Sequence, residues 1–347
     1  MMTGMAFSID RLLQEALPVE VCNDSAYYFP LAHRRYEVKP GLVTFGTDFG
    51  NEAADRQVFQ FDSSFAHYRS VKLAARAEQL SKYYQTHNDT SAVASAIARL
   101  IVHRLMQEQP QWFQLIPQTD GTLSISCQLT GEILYLDTAY QLQQVQAVEL
   151  TESPYVSTLD ALAPQLQEDV TVVSRSGDSH WISAIHLCYP NHWSAETKIG
   201  RDFATVHALV AGMTAMNQRG SAIVQTMITR KPSVRLAWGL STDTRLNHHP
   251  VPSAGVAIDT WQGRAFDPQN PQLYLRIERQ VIWGLPDCDA ALFTIRTYFR
   301  DCRAIKQDPK LRASLVSALN SMLPESLVYK GLNGSRDAII AWLTQEP

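Results

Sequence analysis

YLRIERQVIWGLPDCDAALFTIRTYF, residues 274–299, consists of two alternating stretches flanking a Gly-Leu-Pro-Asp turn, the pattern of a β-hairpin. In the first arm Leu275, Ile277 and Val281 fall on one face, and Arg276, Glu278 and Gln280 on the other. Arg279 belongs with the first set. The outer face of a surface strand is usually polar and solvated, so alternation alone leaves two readings open. The charges of Arg276 and Glu278 stand in water, or they point into a pocket.

Working outward, Asp169–Ser174 and Trp181–Cys188 are strand-like and joined by turn residues, and Val234–Leu240 is a further strand. Between them AETKIGRDFATVHALVAGM, opened by Ser194 or Asn191, has helical spacing, and another helix is expected over Ala222–Ile228. Residues 165–300 therefore run two strands, helices, three strands. That order predicts an α+β fold with an antiparallel sheet and helices gathered on one side, and it matches the Per-ARNT-Sim (PAS) scaffold. Upstream, Phe65–Gln85 and Thr90–Gln109 carry apolar residues at three and four spacing, the second capped by Thr90 or Ser91 and stopped at Pro110. Downstream, helices are expected over Lys310–Ser321 and Arg336–Thr344. The organisation reads as a mainly helical N-terminal region over 1–113, a PAS-like core over 114–305 and C-terminal helices over 306–347, forming one structural unit.

With 347 residues, 45% of them hydrophobic, the chain can bury a large core, and a net charge of −4 gives no footprint for nucleic acid or an anionic membrane. Apolar runs such as Ala338–Leu343 are too short to span a bilayer. MMTGMAFSIDRLLQEALP reads as an amphipathic helix and not as a signal peptide, and the scattered cysteines make a reducing cytoplasm the expected location. The five cysteines, Cys22, Cys127, Cys188, Cys288 and Cys302, are scattered; only Cys288 and Cys302 come weakly near metal-ligand spacing. This argues against a disulfide framework, structural zinc or an iron–sulfur cluster on this chain. GxGxxG and GxxxxGK[ST] loops are absent, so this chain is not expected to bind a nicotinamide or nucleotide by itself.

Ile199, Phe203, His207 and Val210 share a stripe in the central helical stretch. A lone histidine on an apolar face is more often a satisfied core residue; the alternative is an imidazole projecting into a cavity, as a proximal haem ligand does. No CxxCH run is present, so any haem would be held non-covalently. His186 alternates onto the face of Ile182, Ala184 and Cys188 and is a second pocket candidate. His192 precedes Trp193 in a turn, and His248 and His249, in a Pro-flanked loop, read as solvent-exposed. Hydrolase and zinc-protease signatures (GxSxG, HExxH) are missing.

LCYPNHWSAETKIGRDFATVH (187–207), YLRIERQVIWGLP (274–286) and ALFTIRTY (291–298) resemble the haem-dependent oxidative N-demethylase family, α-subunit type. So do KPGL (39–42), FDSSFAHYRSVKLAAR (61–76), LQEDVTVV (166–173) and VYKGL (328–332), in order along nearly the whole chain. The resemblance implies a haem-binding PAS-type core and NADPH-dependent oxidation of a small secondary amine such as dimethylamine by oxygen. Haem b is the implied cofactor of this chain. FMN, an iron–sulfur cluster and tetrahydrofolate are implied only on partner components, among them a separate flavin/iron–sulfur reductase.

Within that resemblance His207 is the expected iron ligand and Glu278 the counter-charge for the substrate ammonium, since an unpaired buried charge is very unfavourable. Arg276 or Arg279 would pair with Glu278, polarise oxygen or hold a propionate, in different roles because they lie on different faces. Arg201 and Lys198 are alternative propionate partners, and Trp238 and Tyr298 are candidates to line the pocket, an aromatic in a strand being more often plain core. Two departures stand out. Ala237 occupies the position where the family usually has an asparagine, and Asn191 one where it tends to have serine. A rival reading keeps the same scaffold as a non-catalytic haem or gas sensor.

Overall fold

The computed structural model describes residues 26–119, 121–147 and 154–345; the amphipathic helix expected at the N-terminus lies outside them. Two antiparallel sheets and twelve α-helices among the described residues make the protein α+β. Two short strands, β1 (Val43–Thr44) and β2 (Tyr84–Thr86), come from the N-terminal region. Around β2 lie α1 (Phe65–Tyr83) and α2 (Ser91–Glu108), the latter capped by Thr90, whose hydroxyl accepts from the Val93 amide at 3.3 Å.

A separate four-stranded meander follows, built from β3 (Phe113–Pro117), β4 (Leu123–Cys127), β5 (Glu132–Leu136) and β6 (Leu142–Gln146). Its apolar positions Ile125, Leu134 and Leu136 are buried against Ile97, Ile101 and Leu105 of α2. The short α3 (Thr158–Leu162) leads into the large sheet.

That sheet is made of β7 (Glu168–Ser176), β8 (Ser179–His186), β9 (Ser233–Ser241), β10 (Tyr274–Leu285) and β11 (Ala290–Asp301), with β1 and β2 at its edges in the order β1-β9-β10-β11-β7-β8-β2. Numbered one to five along the chain, the long strands lie in the spatial order 2-1-5-4-3. The β10–β11 hairpin is the longest pairing, closed by Pro286–Cys288 and by Asp289 with φ 49°. Between β8 and β9 run α4 (Ala195–Lys198), α5 (Phe203–Val206), α6 (Thr214–Asn217) and α7 (Gly220–Thr229). A short α8 (Ile258–Gln262) interrupts the loop before β10, and α9 (Cys302–Gln307), α10 (Pro309–Asn320), α11 (Pro324–Tyr329) and α12 (Arg336–Thr344) complete the chain.

Helices flank both faces of the large sheet, where the sequence order predicts one. Leu275 and Ile277 of β10 pack with Leu315, Leu319, Leu327 and Trp342 of the C-terminal helices. Val224 and Ile228 of α7 pack on Val173 and Ala291 on the other side, hereafter the inner face. The reason is that both sides of β10 and β11 carry residues needing cover, apolar on one and mixed on the other.

Seating α7 on the sheet depends on Gly284. A Cβ at this position would lie 2.1 Å from the Ile228 carbonyl oxygen and 2.7 Å from that of Met227. Gly239 is buried on the same face, yet a Cβ there would meet nothing within 4 Å. Gly284→Ala should therefore destabilise the protein by about 1–3 kcal/mol through overpacking, while Gly239→Ala should not. Thermal denaturation of the pair checks this; an unchanged midpoint for Gly284→Ala would mean that α7 does not sit so close.

Candidate functional site

The inner face between β9, β10 and β11 carries an unusual set of side chains. Register places Gly239, Ala237 and Arg235 of β9 opposite Arg276, Glu278 and Gln280 of β10, and Phe299, Thr297 and Ile295 of β11 on their other flank. Arg276 is 2% exposed, so its charge is not solvated. The Glu278 carboxylate is mostly buried, with Oε2 accepting from the Gln280 amide at 3.0 Å and Oε1 3.9 Å from Arg276 Nε. The Thr297 hydroxyl is buried without a hydrogen-bond partner. Together with the open space at Gly239, these groups form a floor that small residues leave uncovered.

Arg276 is held by the loops that rim this floor. Its Nη2 donates to the Tyr189 carbonyl at 2.7 Å, and its Nη1 to the carbonyls of Arg245 and Leu246, each at 3.3 Å. Nη1 also faces His248 Nδ1 at 3.1 Å, and His248 Nε2 lies 3.0 Å from Asp243 Oδ1. A guanidinium only donates, so His248 accepts at Nδ1 and carries its proton at Nε2, toward Asp243. Burial, with the charges of Arg276 and Arg245, outweighs the pull of Asp243 and lowers the His248 pKa to about 4. Burial works against the Asp243 charge, but the His248 hydrogen bond and the charges of His248 and Arg245 hold the carboxyl well below its usual range. His248 and His249 are 5% and 2% exposed; the expectation of solvated histidines fails because each ring finds an acidic partner, Asp243 and Glu196.

The long central helix read from the sequence is broken. Gly200 takes φ +70°, which ends α4, and Asp202 caps α5 by accepting from Thr205 at 2.7 Å. His207 is the residue after this short helix, and its Nδ1 donates to the Phe203 carbonyl at 2.8 Å. The Phe203 ring, 4.3 Å from the imidazole, packs against α7 on the inner face. Burial lowers the His207 pKa, and the charges of Arg235 and Lys198 lower it further, against the Phe203 bond. The ring is neutral near pH 7, with Nε2 left as an electron-pair donor. A neutral imidazole with one nitrogen anchored to a carbonyl is the arrangement metal-binding histidines use.

The other residues singled out in the sequence separate clearly. Lys198 lies beside His207, its ammonium donating to the Val206 carbonyl at 2.6 Å. The Arg201 side chain is exposed, and only its backbone is engaged, the carbonyl by the Ile182 amide and the amide by the Lys198 carbonyl. Arg279 and Trp238 lie on the opposite face and do not join Glu278. Arg279 donates to the carbonyl of Gln57 at 2.9 Å and pairs across the strands with Arg296, which is bound to Asp62 at 2.8 Å. Trp238 stands opposite Ile277 and packs edge-on against Tyr36. Tyr298 is buried in the core on that opposite face as well. His186 also lies there, 3.4 Å from Asp160, because Ser183 is an extra residue in β8 that puts Ile182 and Ala184 on opposite sides.

Sequence reasoning missed Arg235, Lys330, Asp243 and the part played by His248. Arg235 was legible, since VRLAWGL alternates and puts it in phase with Ala237. Lys330 was not: it arrives from the end of α11 and donates to the Trp238 carbonyl at 2.9 Å. Among the described residues, no three His, Cys, Asp or Glu side chains gather to hold a metal ion. A haem iron asks the protein for one such ligand, and His207, the uncovered floor and the surrounding cations fit that group.

An α+β sheet face that carries one carboxylate, a buried arginine and small residues, with the His207 imidazole on the helices packed over it, is what this fold offers a small ligand. The chain belongs to the family described as haem-dependent oxidative N-demethylase, alpha subunit-like, whose model matches residues 51–340. That description makes the family one of haem-dependent oxidative demethylases and implies partner subunits. No helix among the described residues is long and apolar enough to cross a membrane.

The His248 environment sets a pH dependence. Its pKa is about 4 in the fold and about 6.5 in an unfolded chain, so between those values the unfolded state binds more protons and stability falls as pH falls. Urea denaturation at pH 7 and pH 4.5 should show the wild type losing on the order of 2–3 kcal/mol more than His248→Asn. Parallel pH dependences would contradict the buried neutral imidazole.

Proposed function

We propose that the inner face binds haem b non-covalently, with His207 Nε2 as the iron ligand. The chain would use it to oxidise a small secondary amine of the dimethylamine kind to a primary amine and formaldehyde. His207 carries the reading: a neutral ring with one nitrogen tied to the Phe203 carbonyl and the other unclaimed, in a chain of a haem-dependent family. The strand order 2-1-5-4-3, with helices inserted between the second and third strands, supports a PAS-like core.

When bound, the haem supplies the redox chemistry, in which dimethylamine, oxygen, two electrons and two protons give methylamine, formaldehyde and water. Glu278 holds the substrate ammonium as its counter-charge, because a lone ammonium in a poorly solvated pocket is strongly disfavoured. Gln280 donates to Oε2, and Oε1 is the oxygen that would accept a hydrogen bond from the ammonium. Arg276, fixed by Tyr189, Arg245, Leu246 and His248, is a positioning residue that sets its charge 3.9 Å from that oxygen. Ala237, opposite Glu278, offers no hydrogen bond, so amine orientation rests on the carboxylate. Electrons would come from a separate flavin and iron–sulfur reductase, and a folate-binding component would take up the one-carbon product.

Haem-reconstituted protein should show a Soret band that His207→Ala abolishes or strongly shifts; an unchanged spectrum would refute the ligand. Glu278→Gln should keep the haem and lose the spectral response to dimethylamine by at least tenfold in apparent affinity. An unaltered titration would remove Glu278 from amine binding.

A further inference from the structure

The inner face holds more positive charge than it answers. Arg276 spends its donors on three carbonyls and His248 and stands beside Glu278. Arg235, opposite Gln280 and one inner-face step beyond Glu278, has no such partners. Among the described residues it makes no hydrogen bond and no ion pair, and its Nε is buried and unsatisfied. Lys330 uses one of its three N–H donors, on the Trp238 carbonyl, at an edge of β9 that β1 covers only at Ser233 and Val234. Burial opposes the charge of both groups. Glu278 is the carboxylate both feel, and they repel one another, Arg235 lowering the Lys330 pKa.

A half-buried guanidinium whose Nε is closed off from water and from any acceptor favours an anionic ligand, and its planar fork matches a carboxylate through two parallel hydrogen bonds. We propose that Arg235 and Lys330 form a carboxylate-binding site on the inner face, on the other side of Glu278 from Arg276. Occupied together with Glu278, the two would hold a ligand bearing a positive amine and a negative carboxylate, or would fix a propionate of the porphyrin. The proposal rests on the haem-and-amine reading of this face, and both sources of the carboxylate have the same chemistry. Gly239 and Ala237 leave the adjoining floor free of side chains to receive either.

The test uses the full chain, wild type and Arg235→Gln/Lys330→Met, folded as judged by circular dichroism, with Arg235→Lys as the charge-keeping control. In one arm, iron-free protoporphyrin IX and its dimethyl ester are titrated by tryptophan fluorescence, which is independent of any bond from His207 to iron. In the other, N-methylglycine and dimethylamine are titrated by calorimetry. A propionate source predicts that wild type prefers the free acid over the ester by at least tenfold and that the double variant loses this preference. A substrate source predicts that the double variant weakens N-methylglycine at least tenfold relative to dimethylamine, with Arg235→Lys recovering part of the loss. Either result supports the site. If the double variant matches wild type in both arms, the proposal is overturned. If wild type binds no porphyrin, the haem reading fails by itself, and the carboxylate site stands or falls on the N-methylglycine arm.

Discussion

A guanidinium cannot be buried without acceptors, and Arg276 finds them in three loop carbonyls and an imidazole. This requirement ties the centre of β10 to the segments around Tyr189 and around Arg245–His248, and it adds to the Asp169 and Tyr68 bonds of Tyr189 and the packing of Leu246. Asp243 continues the chain by orienting His248, so a carboxylate, an imidazole and a guanidinium stand in series behind Glu278. The same contacts that fix the loops therefore set a positive charge 3.9 Å from the Glu278 carboxylate.

The two faces of β10 show how alike residues acquire different work. Arg276 and Arg279 are three residues apart and both fully buried, yet the strand period sends them to opposite sides. Arg279 ends in a row with Arg296 and Glu168, where burial pushes the Glu168 carboxyl up to about 7 despite the arginine charges. That row joins the N-terminal segment at Asp55, Gln57, Gln60 and Asp62 to the sheet and explains why a cation sits in the core without a ligand in reach.

Much of this was legible in the sequence. Alternation over 274–299 put Arg276 and Glu278 on one side and Arg279 on the other, and the order of strands and helices predicted the α+β class. What escaped had physical causes. The stripe Ile199, Phe203, His207 has true helical spacing, but Gly200 and Asp202 within it stop one helix and cap the next, which places His207 at a helix end. The bulge at Ser183 reverses the alternation of β8, so His186 turned up on the wrong side. Lys330 and the Asp243–His248 pair depend on contacts between segments far apart in sequence, which no local period records.

The central claim is that the inner face, and not the opposite one, is the haem site. A crystal structure of the haem-reconstituted protein tests it most directly. The account predicts His207 Nε2 on the iron and the porphyrin on the Gly239 and Ala237 side of the sheet, the side that carries Glu278. Iron bound by His192 or another residue, or a porphyrin lying on the Trp238 side of the sheet, would contradict it.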